Sequence, residues 1–133
     1  MKKIADAGLL NAALDRKDEF HDWACRVLQT ESPPFLVCEV VLAEAAAVIG
    51  TPDDALKMLE RGDLELAFDL AEEAAAVRAL VKRYRDQPMD LGDACVVRMA
   101  ELFPTATVFT VDRTDFTVYR KHGRQLVPCT FPG

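Results

Sequence analysis

The chain has 133 residues and a mass of 14.7 kDa, so we expect a single domain over residues 1–133. A hydrophobic fraction of 50% can build one core and excludes intrinsic disorder. Because 22 Asp and Glu outnumber 16 Lys and Arg, the net charge of -6 argues against a general binder of polyanions.

The first half of the chain alternates strand and helix signals. Residues 2–6 predict a short strand, and the apolar spacing of the next residues predicts a helix. Glycines mark two later helix ends, at Gly50 and Gly62. The other predicted elements of this half are a helix over 18–30, a strand over 35–38, and helices over 39–48 and 52–61.

The second half continues the alternation, and its segment rich in Val and Thr over 105–111 predicts the strongest strand. Around it we expect strands over 64–67 and near 126–127, and helices over 69–85, 91–103 and 116–121. Strands that alternate with helices predict an α/β fold of three α/β/α layers, with a central parallel sheet of four to five strands.

The sequence predicts no disulfide framework, signal peptide or membrane span. Four cysteines lie in separate segments without a C-x-x-C pair, which favours reduced thiols over zinc ligands or disulfides. Asp6 ends the first apolar run early, so no signal peptide is expected. No run approaches the length of a membrane span, since Glu44 interrupts the apolar stretch over 40–49. We expect a soluble cytoplasmic protein with no membrane contact.

Two acidic residues directly follow predicted strands. Asp6 comes after the first strand, and Asp112 comes after the strand over 105–111. In parallel sheets ligands bind at the carboxyl ends of the strands, where the strand order reverses. These two carboxylates are therefore expected to lie together at that edge.

Two further acids fall on the predicted core faces of helices. Glu44 lies three residues after Val41 and four before Val48, and Asp93 shares its face with three small apolar residues. Burying a carboxylate costs several kcal/mol unless it is paired, protonated or bound to a cation. The surrounding positions are apolar, so a divalent cation held by oxygen ligands, Mg²⁺ or Mn²⁺, is the favoured partner.

Each acid also has a purely structural alternative, which the sequence leaves open. Asp6 could cap the following helix, and Asp93 could cap its own helix together with Asp90. Asp112 and Asp115 could form an ordinary turn and cap pair. Glu44 has the weakest alternative of this kind.

In their order and spacing, four short motifs resemble a PIN domain, and more narrowly a VapC-type ribonuclease toxin of a toxin–antitoxin pair. The resemblance spans nearly the whole chain. The motifs are Ile4-Ala5-Asp6, Val40-Val-Leu-Ala-Glu44-Ala, Met89-Asp-Leu-Gly-Asp93-Ala and Phe109-Thr-Val-Asp112-Arg-Thr-Asp115-Phe116.

The resemblance implies a PIN-like fold and a metal-dependent endoribonuclease. The residues implied to act in catalysis and to hold Mg²⁺ or Mn²⁺ are Asp6, Glu44, Asp93 and Asp112, with Asp115 as a further metal ligand. Thr110 matches the small hydroxyl residue of the family, and Thr110 and Arg113 are candidate substrate contacts. Ala7 stands where the family often has Ser or Thr, and Gly92 is also less usual there. Such enzymes typically form homodimers and are inhibited by a small cognate antitoxin.

RNA binding by an acidic protein needs local cations. The basic residues that could contact the RNA backbone are Lys82, Arg83, Arg85, Arg113, Arg120, Lys121 and Arg124. The alternative is that most of them balance nearby acids.

Two other functions remain as alternatives. A non-catalytic binding module with the same fold would keep the acids without turnover. A receiver-type phosphoacceptor fits less well, because Asp6 has no acidic neighbour and Arg113, rather than Lys, follows Asp112. Serine hydrolase chemistry is poorly supported, since Ser32, the only serine, precedes two prolines.

Overall fold

A parallel sheet forms the centre of the computed structural model, which describes all 133 residues. Along the chain the elements are β1 (Lys3–Ala5), α1 (Ala7–Leu14), α2 (His21–Thr30), β2 (Phe35–Val37), α3 (Glu39–Ile49), α4 (Asp53–Arg61), β3 (Leu64–Leu66), α5 (Leu70–Arg83), α6 (Leu91–Leu102), β4 (Thr107–Phe109), α7 (Arg113–Phe116), β5 (Arg120–Lys121), β6 (Gln125–Leu126) and β7 (Cys129–Thr130).

The sheet has five strands in the order β3-β2-β1-β4-β7, and every pairing within it is parallel. In the central strand, Ile4 lies opposite Leu36 on one side and Val108 on the other. The predicted α/β fold with a parallel sheet of four to five strands is confirmed. From β1 the chain first adds β2 and β3 on one side and then β4 on the other, so the strand order reverses between β1 and β4.

The short central strands are apolar because they are covered by helices. Ile4 is fully buried, and β2 is buried along its whole length. Phe35 and Phe109 meet edge to face across β1, with ring centroids 5.3 Å apart. Both glycines expected to end helices do so in the left-handed region, with φ of 90° at Gly50 and 84° at Gly62.

The chain after β4 differs from the prediction. No helix covers 116–121: α7 begins earlier, at Arg113, because the Asp112 side chain accepts the Asp115 N–H as an N-cap. The strands β5 and β6 form an antiparallel hairpin instead. The strand predicted near 126–127 is present as β6, but it belongs to this hairpin, and β7 supplies the edge strand of the central sheet beside β4.

The second helix also starts later than predicted. The sequence places its start at residue 18, whereas α2 begins at His21. The Asp18 carboxylate accepts the Phe20 N–H at 2.8 Å, a local turn that competes with helix at this point.

None of the helices has both the length and the apolar character needed to span a membrane.

Candidate active site

Asp6 lies directly after the central strand at the edge where the strand order reverses. Its backbone N–H continues the strand ladder by donating to the Phe109 carbonyl at 3.1 Å. The residue is only 6% exposed, and its Oδ2 accepts a 2.7 Å hydrogen bond from the Thr110 hydroxyl. Asp6 occupies the N-cap position of α1, but its side chain makes no capping hydrogen bond. The capping alternative therefore does not explain its burial.

Thr110 joins the ends of β1 and β4. Besides donating to Asp6, its hydroxyl accepts the Asp112 N–H at 3.1 Å. Asp112 in turn accepts the Asp115 N–H at 3.0 Å through Oδ1. The expected turn and cap pair is thus present, and it lies beside the buried Asp6.

Asp93 reaches the same region from the first turn of α6. Asp90 and Asp93 form a capping box, in which Asp90 Oδ1 accepts the Asp93 N–H at 2.8 Å and Asp93 Oδ2 accepts the Asp90 N–H at 3.4 Å. Asp93 Oδ2 also accepts a 2.9 Å hydrogen bond from the Tyr119 hydroxyl. The structural alternative for Asp93 is therefore correct as far as capping goes, but the side chain has a second partner outside its helix.

Glu44 is half-buried on α3 and packs against the start of α6. The predicted core face of this helix is only partly correct, because Val41 is buried whereas Val48 is 64% exposed. A Cβ atom at Gly92 would lie 2.9 Å from Glu44 Cδ, so the absence of a side chain there gives the carboxylate room. The position of the Glu44 carboxylate therefore depends on a glycine at position 92.

Repulsion from Asp90 acts on both Asp6 and Glu44 and links them to one group of carboxylates. Burial raises the pKa of Asp6 above its ordinary value, and the charges of Asp112 and Asp90 raise it further. Burial likewise raises the pKa of Glu44, with added repulsion from Asp90 and Asp6. The Thr110 hydroxyl acts in the opposite sense on the pKa of Asp6.

Asp93 and Asp115 titrate far above the usual range. Burial, then the Asp90 charge, raises the pKa of Asp93 to about 7, against a lowering effect of the Tyr119 hydroxyl. Burial and the Asp112 carboxylate raise the pKa of Asp115 to about 6. Such values mark carboxylates that lack a cationic partner.

No Lys or Arg side chain lies within 4.0 Å of any of these carboxylates. The ion pairs of the structure all lie elsewhere, at Lys57–Asp53, Arg61–Asp63 and Arg98 with Glu73 and Glu101. The acidic site therefore concentrates negative charge that the protein itself does not neutralise.

The chemistry of the site fits a hard divalent cation, since every candidate ligand is a carboxylate oxygen. As the side chains stand, however, no three Asp, Glu, His or Cys residues form a group that could hold one ion. The acids nevertheless lie within electrostatic range of one another, since their charges raise each other's pKa values.

Arg113, a predicted substrate contact, is held by the C-terminal segment. It stacks on Phe131 with its guanidinium 4.5 Å from the ring centroid and donates to the Pro132 carbonyl.

Asp90 and Tyr119 lie in the acidic region although the sequence did not predict them as site residues. The sequence indicated Asp90 only as a helix cap, although its charge acts on four of the other acids. Tyr119 fell inside a wrongly predicted helix, and no pattern marked it.

The fold and the acidic site define a PIN-like α/β protein, with carboxylates gathered where β1 and β4 end. No family model matches the chain. A curated relative, Ribonuclease VapC26 of Mycobacterium tuberculosis (strain ATCC 25618 / H37Rv), is 29% identical over 126 residues, which make up 90% of this chain and 93% of the relative. The similarity to this VapC ribonuclease thus extends along nearly the whole chain.

Proposed function

We propose that this protein is an Mg²⁺- or Mn²⁺-dependent endoribonuclease and the toxin of a toxin–antitoxin pair in the cytoplasm. One observation carries the proposal: Asp6 is buried among other carboxylates at the reversal of strand order, with no cation beside it. The relative named as a ribonuclease supports the same activity over most of the chain.

The metal would be held by carboxylate oxygens. The residues proposed as ligands are Asp6, Glu44, Asp93 and Asp112, with Asp115 as a further one. A bound ion would lower the pKa of a water molecule and stabilise charge on the phosphodiester as the 3′ oxygen leaves. Thr110 would hold Asp6 in place through its 2.7 Å hydrogen bond. Whether Thr110 or Arg113 also contacts RNA stays a prediction.

RNA would be drawn in by cations near the acidic site. We define the basic rim as Arg83, Arg85, Arg120 and Arg124, at the end of α5 and in the β5–β6 hairpin. None of these side chains forms an ion pair with an acid, although the chain has an excess of acids. Their positive charges are therefore not neutralised by acids, which supports electrostatic attraction of phosphate groups. Lys121 is different, because it is buried and donates to the Pro104 carbonyl.

The basic rim is tied to the acidic site through two tyrosines. Arg83 donates to the Gly123 carbonyl at 2.7 Å, which joins α5 to the hairpin. The Arg120 N–H donates to the Tyr84 hydroxyl at 2.8 Å, and the neighbouring Tyr119 donates to Asp93. A phosphate backbone on the rim would therefore lie close to the carboxylates.

Two protein partners complete the proposal. A cognate antitoxin that inserts a cationic side chain would supply the counter-charge that the acidic site lacks. A second copy of this chain is the other proposed partner, giving a homodimer. The exposed apolar side chains of Val81 on α5 and Leu91 at the start of α6 support such an interface.

The test is cleavage of a structured RNA by the purified protein, free of antitoxin, with Mn²⁺ or with EDTA. We expect cleavage only with Mn²⁺. Asp93→Asn should lower the rate by at least about 100-fold, since it removes charge from the transition-state environment. Glu60→Gln is the matched control, because Glu60 is an exposed acid on α4 away from the site.

Three results would contradict the proposal: cleavage that persists in EDTA, an Asp93→Asn variant as active as wild type, or no cleavage by wild type with Mn²⁺. The last result, combined with retained RNA binding, would favour the non-catalytic binding module.

A further inference from the structure

The side chain of Tyr119 links the protein core to one site carboxylate. The residue is fully buried, and its hydroxyl donates a 2.9 Å hydrogen bond to Asp93 Oδ2. This is the only hydrogen bond of that hydroxyl. Tyr119 lies 26 residues after Asp93 in the chain, so the contact is tertiary rather than local.

The ring of Tyr119 is held on two sides. Tyr84 and Phe116 each pack against it edge to face, with centroid distances of 5.2 Å. The backbone beside it is also fixed, because the Arg120 guanidinium donates to the carbonyls of Thr117, Val118 and Tyr119. The phenol group therefore has little freedom to move away from Asp93.

A carboxylate on the first turn of a helix can still rotate about its last side-chain bond. The capping interaction with the Asp90 N–H is long, at 3.4 Å, and restrains this rotation weakly. The bond from Tyr119 is shorter and acts on the same oxygen, Oδ2. Oδ1 is left without a donor from the protein and stays available for a ligand.

We propose that Tyr119 is a positioning residue for Asp93: its hydroxyl holds Oδ2 so that Oδ1 is presented to the divalent cation. The inference rests on the proposed function, because it assigns a task to a residue that supports the metal site. Donors behind a metal-binding carboxylate typically set its orientation, and their loss costs about 10- to 100-fold in metal affinity.

Tyr84 offers a matched control within the same cluster. It is buried and stacks on Tyr119, but its hydroxyl accepts a backbone N–H, that of Arg120, and contacts no acid. Tyr84→Phe and Tyr119→Phe therefore remove the same group from similar surroundings. Only Tyr119→Phe removes a hydrogen bond to a site carboxylate, that of Asp93.

The experiment measures the melting temperature of the full chain as a function of Mn²⁺ concentration, starting from EDTA. For wild type we expect a rise whose half-point reports metal affinity. Both variants should melt lower than wild type in EDTA. Tyr119→Phe should also shift the Mn²⁺ half-point upward by about 10- to 100-fold, whereas Tyr84→Phe should leave it unchanged.

Rescue gives a second readout. Para-aminophenylalanine at position 119 keeps a donor at the same end of the ring and should restore most of the affinity. All variants are also measured in trimethylamine N-oxide, which strengthens folding, so that low stability of Tyr119→Phe does not hide its metal response.

The outcomes separate the two proposals. If wild type responds to Mn²⁺ and Tyr119→Phe has the same half-point, the positioning role is wrong and the hydroxyl is structural. Equal shifts in Tyr119→Phe and Tyr84→Phe would overturn it as well. If wild type neither responds to Mn²⁺ nor cleaves RNA, the proposed function fails, and the positioning role fails with it.

Discussion

The hydroxyl group of Thr110 is the single donor side chain on the buried carboxylate of Asp6. In the resembled family a Ser or Thr often follows the first Asp, whereas Ala7 stands there in this chain. Thr110 reaches Asp6 from the end of the neighbouring strand and supplies a hydroxyl from another direction. A residue 104 positions away thus provides a contact that the local sequence lacks.

Replacing Thr110 with Val should destabilise the protein by about 1–3 kcal/mol, because a buried carboxylate loses its donor while the shape of the side chain is kept. The measurement is urea unfolding in EDTA. Thr110→Ser is the control and should retain most of the stability, since it keeps the hydroxyl. Equal losses in the two variants would show that the methyl group of Thr110, rather than its hydroxyl, matters.

At the scale of elements, the first turn of α1 packs closely against the chain after β4. A Cβ atom at Gly8 would lie 2.6 Å from Val111 Cγ2. Gly8 therefore allows the first turn of α1, which follows Asp6, to approach the segment that carries Asp112. The close approach depends on the missing side chain.

Gly8→Ala should therefore destabilise the protein by about 1–3 kcal/mol through overpacking, despite the better helix propensity of Ala. Val111→Ala removes the atom that would clash. The double variant should lose less than the sum of the two single losses, by at least about 0.5 kcal/mol. Strictly additive losses in denaturant unfolding would contradict the close contact.

The elements that the sequence predicted correctly are those with strong local signals. The glycine stops of α3 and α4 and the capped start of α5 are examples, and Asp69 does accept two N–H groups there. The hairpin over 120–126 lacked such signals. It is held by distant groups, such as Arg83 on the Gly123 carbonyl and Lys121 on that of Pro104.

At the scale of the whole molecule, the acidic site is a group of carboxylates without a cationic partner. The four ion pairs of the structure lie outside it, so they do not neutralise its charge. The acidic site consequently weakens the folded protein whenever its carboxylates are charged and no cation is bound.

The unneutralised charge of the acidic site predicts an unusual pH dependence of stability. A carboxyl whose pKa is higher in the folded than in the unfolded state binds its proton more tightly when folded. For Asp93 this contribution is fully present below the ordinary pKa of 3.8 and is lost as pH rises to about 7. In EDTA, the free energy of unfolding of wild type relative to Asp93→Asn should therefore fall over this range.

Denaturant unfolding of both proteins at several pH values checks this prediction. Above pH 7, Asp93→Asn should be the more stable of the two in EDTA, and saturating Mn²⁺ should reverse the order. A wild type that gains stability over Asp93→Asn as pH rises would mean that the folded protein supplies Asp93 with a favourable partner.

The sequence by itself determined the alternation of strands and helices, the parallel sheet, and the positions of Asp6 and Asp112 after strands and of Asp93 at a helix start. These follow from local propensity and hydrophobic period, which act over a few residues. Tertiary structure alone decided that Thr110 donates to Asp6 and that Tyr119 donates to Asp93. It also decided that Asp90 joins the acidic site and that residues 120–126 form a hairpin, because each depends on contacts between segments far apart in the chain.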